Sequence, residues 1–306
     1  MISRKVMCVL LFAIAAFSVG MSRAARADIV GGEEVQAIDP IQSTTAALYE
    51  PSAGGRGGAL CTASLIGKDI AVTAAHCVQP GGPKPVLLFG RDVHSPQTIK
   101  RQVTGVSVNP RWKTRAGKGM DEGDIALVRF PGGLPSGYQT VKPLDSEKSL
   151  KKGDTAVLAG YGISNARTHA GAGVLRKTSV KILNSRPGKS EMILDQSHGR
   201  GACHGDSGGP AYVRHGKGVA LAGVTNRSYP ARAPDDCAHQ VVYTKVDAYR
   251  SWIQKEERKL RASPSPSAGY SAKAGSRAPR HSSSRASKPA KTPVRRISHG
   301  KVKRRH

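Results

Sequence analysis

The sequence predicts an all-β protein that is built from many short strands and closed by a single helix. Two observations carry this prediction. Short apolar runs recur from residue 29 to residue 246, and clusters of Gly and Pro at 54–58, 80–83 and 131–133 separate them. Short strands at regular spacing between turn signals are typical of β-barrels and β-sandwiches. A helical period is clear only after residue 246.

Each half of this region supplies its own strands. In residues 29–150 the predicted strands are Ala46–Tyr49, Leu60–Ile66, Ile70–Val72, Val86–Phe89 and Ile125–Phe130. In residues 151–246 they are Ala156–Gly162, Val219–Val224 and Val241–Val246. We then expect Asp247 to cap a helix that runs to about Leu260, with Tyr249, Trp252 and Ile253 on one face.

The amino terminus is typical of a secretory signal peptide over residues 1–27. Arg4 and Lys5 precede an apolar run over residues 6–19, and small residues follow up to Ala27. A membrane helix is the alternative, but a spanning helix needs about 20 apolar residues. We therefore expect an exported protein, secreted or periplasmic, whose mature chain has no transmembrane segment.

The carboxyl terminus differs in composition from the rest of the 306 residues. Residues 263–306 are rich in Ser, Pro and Ala, and they hold twelve lysines and arginines but no acidic residue. Such a segment cannot bury enough apolar surface to offset its ordering entropy, so we expect a disordered tail after a folded domain at 29–262. Much of the chain's net charge of +27 lies there, which favours salt-dependent binding to an anionic surface or polyanion.

Four cysteines remain once the signal peptide, with Cys8, is removed. They are Cys61, Cys77, Cys203 and Cys237, and an even number in an exported chain indicates disulfides with three possible connectivities. A zinc site is the alternative, although no two of them have Cys-x-x-Cys spacing.

Three polar residues have the types that nucleophilic catalysis requires. Ser207 lies in the Gly-rich stretch Gly205–Pro210, His76 follows an apolar strand, and Asp124 precedes another. A serine hydroxyl is a weak nucleophile until a base takes its proton, and an aspartate can orient that base. Taken singly, Ser207 fits a tight turn, His76 fits a core histidine, and Asp121 competes with Asp124.

Together four motifs resemble the chymotrypsin/trypsin-like serine protease family over about residues 29–256. They are Ile29–Gly32, Thr73–Cys77, Asp124–Leu127 and Gly205–Pro210, in the family's order. The resemblance implies two six-stranded antiparallel barrels with the active site between them, and disulfides Cys61–Cys77 and Cys203–Cys237. It also implies peptide-bond hydrolysis through an acyl-enzyme, acting on protein or peptide substrates, with neither a cofactor nor a metal, in a monomer.

The resemblance assigns further roles near the serine. The N–H groups of Gly205 and Ser207 would form the oxyanion hole, and the free amino group of Ile29 would pair with Asp206 after processing. The residue before Ile29 departs from the family's pattern, because Asp28 stands where a basic residue is usual. Asp28 would thus be a one-residue pro-segment that keeps the enzyme a zymogen, and an activating peptidase must remove it.

The specificity pocket is expected at Gly201, Ala202 and Val241. Trypsin-like members carry Asp where this chain has Gly201, so we expect cleavage after small or medium uncharged residues. The sequence leaves open whether Asp235 or Asp236 enters the pocket. In the strand expected to form the pocket wall, Val224–Ser228 replaces the family's usual Ser-Trp-Gly. The alternative function is a cationic binding protein on an inactive protease fold.

Overall fold

Strands are the main regular elements of this computed structural model. It describes residues 29–52, 54, 56–78, 81–230 and 237–263. The predicted signal peptide, Asp28, the Asp235–Asp236 pair and the tail after Ser263 lie outside the described residues. The strands are β1 (Glu33–Glu34), β2 (Thr45–Pro51), β3 (Gly58–Leu65), β4 (Ile70–Thr73), β5 (Val86–Phe89), β6 (Ile99–Gln102), β7 (Gly105–Val108), β8 (Ala126–Arg129), β9 (Thr155–Gly160), β10 (Arg176–Asn184), β11 (Glu191–Asp195), β12 (Pro210–His215), β13 (Gly218–Tyr229) and β14 (Gln240–Lys245).

The helices are short, apart from the one at the end of the domain. They are α1 (Pro40–Thr44), α2 (Trp112–Arg115) and α3 (Arg250–Ala262), with 3-10 turns at Ala75–Cys77, Glu147–Ser149 and Asp247–Tyr249. None of the described helices has the length and apolar character needed to cross a membrane.

The first barrel is antiparallel, with strand order β6-β5-β2-β3-β4-β8-β7. Only Val103 and Thr104 separate β6 from β7, although these two strands lie at opposite ends of that order. One bent segment, residues 99–108, therefore supplies both edges and closes the sheet. Counted this way, the barrel has the predicted six strands.

The second barrel has strand order β10-β11-β14-β13-β12-β9, and antiparallel pairing of β9 with β10 closes it. The two-residue strand β1 adds to β10 outside this ring. Each barrel is filled by the inward side chains of its own strands, and most of the buried residues form one continuous apolar core. The prediction of two six-stranded antiparallel barrels is thus confirmed.

The closing helix α3 returns to the first barrel. The Arg129 guanidinium on β8 donates to the carbonyl oxygens of Leu260 and Ser263, at 2.8 and 2.7 Å, and thereby caps the end of the helix. Ile253 is buried and Trp252 packs against the core, as we expected from the apolar face of the predicted helix. The prediction that Asp247 caps the helix is wrong, because Asp247 begins a 3-10 turn and α3 has no side-chain cap.

Polar contacts join the two barrels where the predicted site lies. Thr62 on β3 donates its N–H to the Ser207 carbonyl oxygen at 2.8 Å and its hydroxyl to the Gly205 carbonyl oxygen at 3.0 Å. The Tyr161 N–H, beyond β9, donates to the Thr62 hydroxyl at 3.1 Å. Thr62 of the first barrel therefore holds the Gly-rich loop of the second at two of its carbonyl oxygens.

Candidate active site

His76 lies on the 3-10 turn Ala75–Cys77, directly after β4. All four residues of β4 are buried, and the strand pairs with β3 and β8, so the turn leaves the barrel at a fixed point. Cys77 forms a disulfide with Cys61 of β3, with the two Cα atoms 6.2 Å apart. His76 is therefore held by a buried strand on one side and a covalent link on the other.

Asp124 lies just before β8 and makes two contacts with His76. Its Oδ1 accepts the backbone N–H of His76 at 2.9 Å, and its Oδ2 lies 2.7 Å from the imidazole Nδ1. The aspartate side chain is fully buried. Gly123 precedes it at φ +76°, where a Cβ would lie 2.8 Å from Arg111 Cβ, so this turn requires glycine. The carboxylate can therefore stabilise the positive charge that forms on the imidazole when His76 takes a proton.

Asp121, the alternative acid in the sequence, makes its contacts elsewhere, with Lys189 and Ser190. Its carboxylate accepts the backbone N–H groups of Lys189 and Ser190, at 2.9 and 2.6 Å, and the Ser190 hydroxyl at 2.8 Å. These bonds lower its pKa against the opposing effect of burial. Asp121 thus joins two loops, and Asp124 is the acid that the structure places against the histidine.

The pKa of His76 is raised above its ordinary value. Burial alone lowers the pKa of the imidazole, but the hydrogen bond to Asp124 and the charge of that carboxylate outweigh it. The more distant charges of Glu50 and Glu122 act in the same direction. The arrangement therefore favours a histidine that accepts a proton readily, which is what a general base must do.

Ser207 occupies the tight turn that Thr62 holds against the first barrel. On its carboxyl side, Gly208 has φ +80°, and a Cβ there would lie 2.1 Å from the Thr73 hydroxyl oxygen. On its amino side, Gly205 has φ +95°, and a Cβ there would lie 2.8 Å from the Gly162 Cα. The glycines are required because the loop packs against the end of β4, just before the turn that carries His76, and against the 160–162 segment.

The same turn leaves two backbone donors free. Among the described residues, neither the N–H of Gly205 nor the N–H of Ser207 has a hydrogen-bond acceptor, whereas Asp206 and Gly209 each donate within the turn. Unpaired N–H groups at a half-buried position attract a negative oxygen. They lie where the sequence placed an oxyanion hole.

Asp206 lies in the same loop with its side chain directed into the protein. Its two oxygens accept the N–H groups of Gly162 and Cys203, each at 2.8 Å. Burial nevertheless raises its pKa from 3.8 to about 7, against the lowering effects of these two bonds and of Arg176 and His204. A carboxylate in this setting is poised to accept a buried cation.

Ile29, the predicted partner of Asp206, is fully buried. The next residue, Val30, accepts the N–H of Gly201 at 2.8 Å, so the amino-terminal segment lies against the predicted pocket. The structure gives no hydrogen bond between Ile29 and Asp206 within the described residues. Asp28 is not among them, so the expected pairing after processing stays a prediction.

Two of the predicted pocket residues, Gly201 and Ala202, contact a glutamine, Gln196, that the sequence did not mark. A Cβ at Gly201 would lie 2.3 Å from Gln196 Cγ and Cδ, so the glycine accommodates this buried side chain. The Gln196 amide donates to the carbonyl oxygens of Ala202 and Cys237 and accepts the Ala202 N–H. Val241 is buried between Leu194 of β11 and Ser228 of β13. No motif marked Gln196, because its partners are backbone groups, which almost any residue type at positions 202 and 237 would supply.

The disulfide pairing confirms what the family resemblance implied. Besides Cys61–Cys77, Cys203 and Cys237 are linked, with Cα atoms 5.4 Å apart. The alternative of a zinc site at these cysteines is wrong, because all four sulfurs are used in disulfides.

The wall strand β13 adds two residues that the sequence did not assign. In the amide orientation that satisfies both of its ends, Asn226 donates to Asp124 Oδ2 at 3.0 Å and accepts from Arg227 at 2.8 Å. Arg227 in turn makes a two-pronged ion pair with the buried carboxylate of Glu191, with both N–O distances 3.1 Å. Both residues stand in the segment where the sequence departs from the family's Ser-Trp-Gly.

Comparison with known proteins agrees with this geometry. The family model described as Trypsin matches residues 29–253. Human granzyme M is 29% identical over 265 residues, covering 80% of this chain and 95% of the relative. The vitellin-degrading protease of Bombyx mori is 28% identical over 251 residues, covering 76% of this chain and 87% of the relative.

A solved structure shows the same fold. Mouse neuropsin, a serine protease, superposes with a TM-score of 0.59 at 25% identity, covering 74% of this chain and 98% of that one. The alternative of an inactive binding protein is not favoured by these relatives. The chain belongs to the trypsin family of serine proteases and is a serine endopeptidase.

Proposed function

We propose that this protein is an exported endopeptidase in which Ser207 is the nucleophile, His76 the general base and Asp124 its orienting acid. One observation carries the proposal. Asp124 contacts both the imidazole Nδ1 and the backbone N–H of His76, and the Ser207 loop packs against Thr73, the last residue of the strand that precedes this histidine. The aspartate thereby selects the tautomer with the proton on Nδ1, which leaves Nε2 free to accept one.

The proposed reaction assigns one step to each of these residues. The Ser207 hydroxyl oxygen attacks the carbonyl carbon of the scissile bond while its proton passes to His76 Nε2. The resulting oxyanion accepts the N–H groups of Gly205 and Ser207, and removing one such donor typically raises the barrier by about 3–4 kcal/mol. His76 then gives its proton to the leaving amine, which departs and leaves an acyl-enzyme. A water molecule, activated by the same histidine, hydrolyses the ester and restores Ser207.

Activation is proposed to depend on the buried carboxyl of Asp206. When a peptidase removes Asp28, the new α-ammonium of Ile29 can pair with this carboxylate, and its charge offsets the cost of burial. Asp206 directly precedes Ser207 and its carboxylate binds the N–H of Cys203, so the pairing acts on the loop that holds the oxyanion donors. The chain that still carries Asp28 is then a zymogen.

The pocket supports a preference for small or medium uncharged side chains before the scissile bond. Gly201 supplies no carboxylate for a basic side chain, and the Gln196 amide beside it is fully occupied by backbone groups. An Ala or Val preference leads, with a larger apolar residue second. A cleavage profile over a peptide library that is dominated by Arg or Lys would contradict this and would place Asp235 or Asp236 in the pocket.

The remaining parts of the proposal concern location and the tail. The amino-terminal sequence and the two disulfides support export to an oxidising compartment. The basic segment 263–306 is proposed to bind anionic surfaces without taking part in the chemistry, and the enzyme is proposed to act as a monomer.

Replacement of the nucleophile tests the mechanism directly. Ser207→Ala should abolish turnover of a peptide substrate and labelling by a serine-directed organophosphonate, while the thermal unfolding midpoint stays unchanged. Ser179→Ala, an exposed serine on β10, is the matched control and should behave as the parent. Turnover by Ser207→Ala at the parent rate would show that another residue is the nucleophile.

A further inference from the structure

The wall strand β13 carries a chain of polar contacts that leads from the proposed triad to two buried glutamates. Asp124 Oδ2 accepts from the Asn226 amide at 3.0 Å, in addition to its contact with the His76 imidazole. The reverse amide orientation would set the Asn226 carbonyl oxygen against the carboxylate, where two acceptors would face each other. The fully buried aspartate therefore obtains a donor from the second barrel as well as from the first.

Arg227 continues this chain. Its guanidinium donates to the Asn226 carbonyl oxygen at 2.8 Å, which fixes the amide so that its NH₂ group faces Asp124. The guanidinium is itself fixed by both carboxylate oxygens of Glu191, each at 3.1 Å, and by the Gly119 carbonyl oxygen at 3.0 Å. Thr244 also contacts the amide, at 3.2 Å. A rigid fork of this kind leaves the guanidinium little freedom to turn.

The charges around this chain do not cancel. Glu191 is fully buried, and the largely buried Glu122 lies with its carboxylate 3.7 Å from the same guanidinium. Burial and the neighbouring charges of Glu191 and Asp124 raise the pKa of Glu122, although Arg227 lowers it. Two acids, Glu191 and Glu122, therefore share the Arg227 guanidinium, which also donates to the Asn226 carbonyl oxygen. They hold the guanidinium at the position from which it orients the Asn226 amide towards Asp124.

We propose that Asn226 and Arg227 are positioning residues, which hold Asp124 in place for His76 with Glu191 as their buried anchor. This inference rests on the proposed triad. The chain of contacts runs from Glu191 through Arg227 and Asn226 to Asp124, and it crosses from the second barrel to the first. Loss of a link would let the aspartate turn away from the imidazole, and a displacement of about 1 Å can cost about a hundredfold in rate.

Asn226→Asp tests the link to Asp124 with almost no change in shape. The oxygen that Asn226 already has can still accept from Arg227. The new oxygen replaces the NH₂ group, so it cannot donate to Asp124, and the side chain adds a negative charge near His76. A second carboxylate favours the protonated imidazole, so the acid limb of the pH profile of kcat/KM should move to higher pH. We also expect kcat to fall at least about tenfold, with KM changed less than about twofold.

Arg227→Met tests the next link, and Lys245→Met is its matched control. Lys245 is also buried and paired with a glutamate, Glu147, but its contacts do not lead to Asp124. Both variants break a buried ion pair and should lower the thermal unfolding midpoint. Only Arg227→Met should reduce kcat and move the acid limb upward, because it removes a cation beside the aspartate–histidine pair and frees the Asn226 amide.

The charges that bear on His76 in this comparison are those of Asp124, Glu50 and Glu122, and all three are kept in every variant. Equal effects of Arg227→Met and Lys245→Met on kcat and on the pH profile would overturn the positioning role of Arg227. Parent kcat and an unshifted profile in Asn226→Asp would overturn the whole inference. If Arg227→Met does not fold, Asn226→Asp decides alone. Failure of the triad itself would show separately, as activity of Ser207→Ala.

Discussion

Two buried aspartates organise the two sides of the site, and their surroundings differ. Asp124, beside the first barrel, contacts an imidazole, a backbone N–H and the Asn226 amide. Asp206, in the loop of the second barrel, is held by two backbone N–H groups, and burial raises its pKa to about 7. Asp124 has a titratable partner, His76, at hydrogen-bond distance. For Asp206 the proposed partner is the α-ammonium of Ile29, which processing would create.

The difference shows that burial alone does not decide how an acid functions. A buried carboxylate beside an imidazole can stabilise the positive charge that the imidazole gains, whereas burial raises the pKa of Asp206 because it outweighs the hydrogen bonds to that carboxyl group. Asp124 is therefore suited to act during each turnover. Asp206 is suited to respond once, when a positive charge reaches it.

The largest expected effect comes from removing the charge of Asp124. In Asp124→Asn the amide would favour the wrong imidazole tautomer, and kcat should fall by about 10⁴-fold. Asp121→Asn is the matched control, because Asp121 contacts Lys189 and Ser190 instead. It should leave kcat within a few-fold of the parent, as measured by steady-state kinetics. Comparable losses in the two variants would mean that Asp124 has no special role.

Asp206→Asn should have the next largest effect, in enzyme that already begins at Ile29. An α-ammonium left buried without its carboxylate costs about 3–5 kcal/mol, so most of the protein should lose an ordered oxyanion loop. Titration with a serine-directed organophosphonate would measure the reactive fraction. A full reactive fraction in this variant would show that the loop does not need the pair.

The pH dependence of stability should distinguish the two processing forms. The folded-state pKa of Asp206 lies above its unfolded value, so its contribution to stability is complete below about pH 4 and is lost as the pH rises towards 7. In protein beginning at Asp28, the free energy of unfolding should fall over this range by about 4 kcal/mol at most. In protein beginning at Ile29 the ammonium should reduce that loss. Urea titrations from pH 4 to 7 give the comparison, and parallel curves would contradict it.

The tail should matter least to the chemistry. Deletion of residues 264–306 should leave kcat and KM for a small peptide unchanged, because the Arg129 contacts to α3 end at Ser263. The same deletion should remove binding to anionic vesicles, and the parent's binding should weaken steeply with added salt. Loss of peptidase activity would show that the tail supports the domain.

The sequence predicted those parts of the fold and site that depend on local pattern or on short motifs. Strands β4 and β8 each begin with three buried apolar residues, and the flanking positions of His76 and Asp124 follow from these runs. Strand β6, Ile-Lys-Arg-Gln, has mostly exposed polar side chains and gave no such signal. The roles of Gln196 and Arg227 depend on hydrogen bonds and ion pairs that form only in the folded chain. No motif or residue spacing in the sequence indicates those contacts.

The most direct test of this account compares the activity of two proteins that differ only in whether Asp28 is present. Protein beginning at Ile29 should turn over a peptide substrate and react fully with an organophosphonate at Ser207. Protein beginning at Asp28 should fold but show at least about a hundredfold lower kcat/KM, because a peptide bond at Ile29 carries no charge to offer Asp206. Equal activity of the two forms would show that pairing between Ile29 and Asp206 does not control this enzyme.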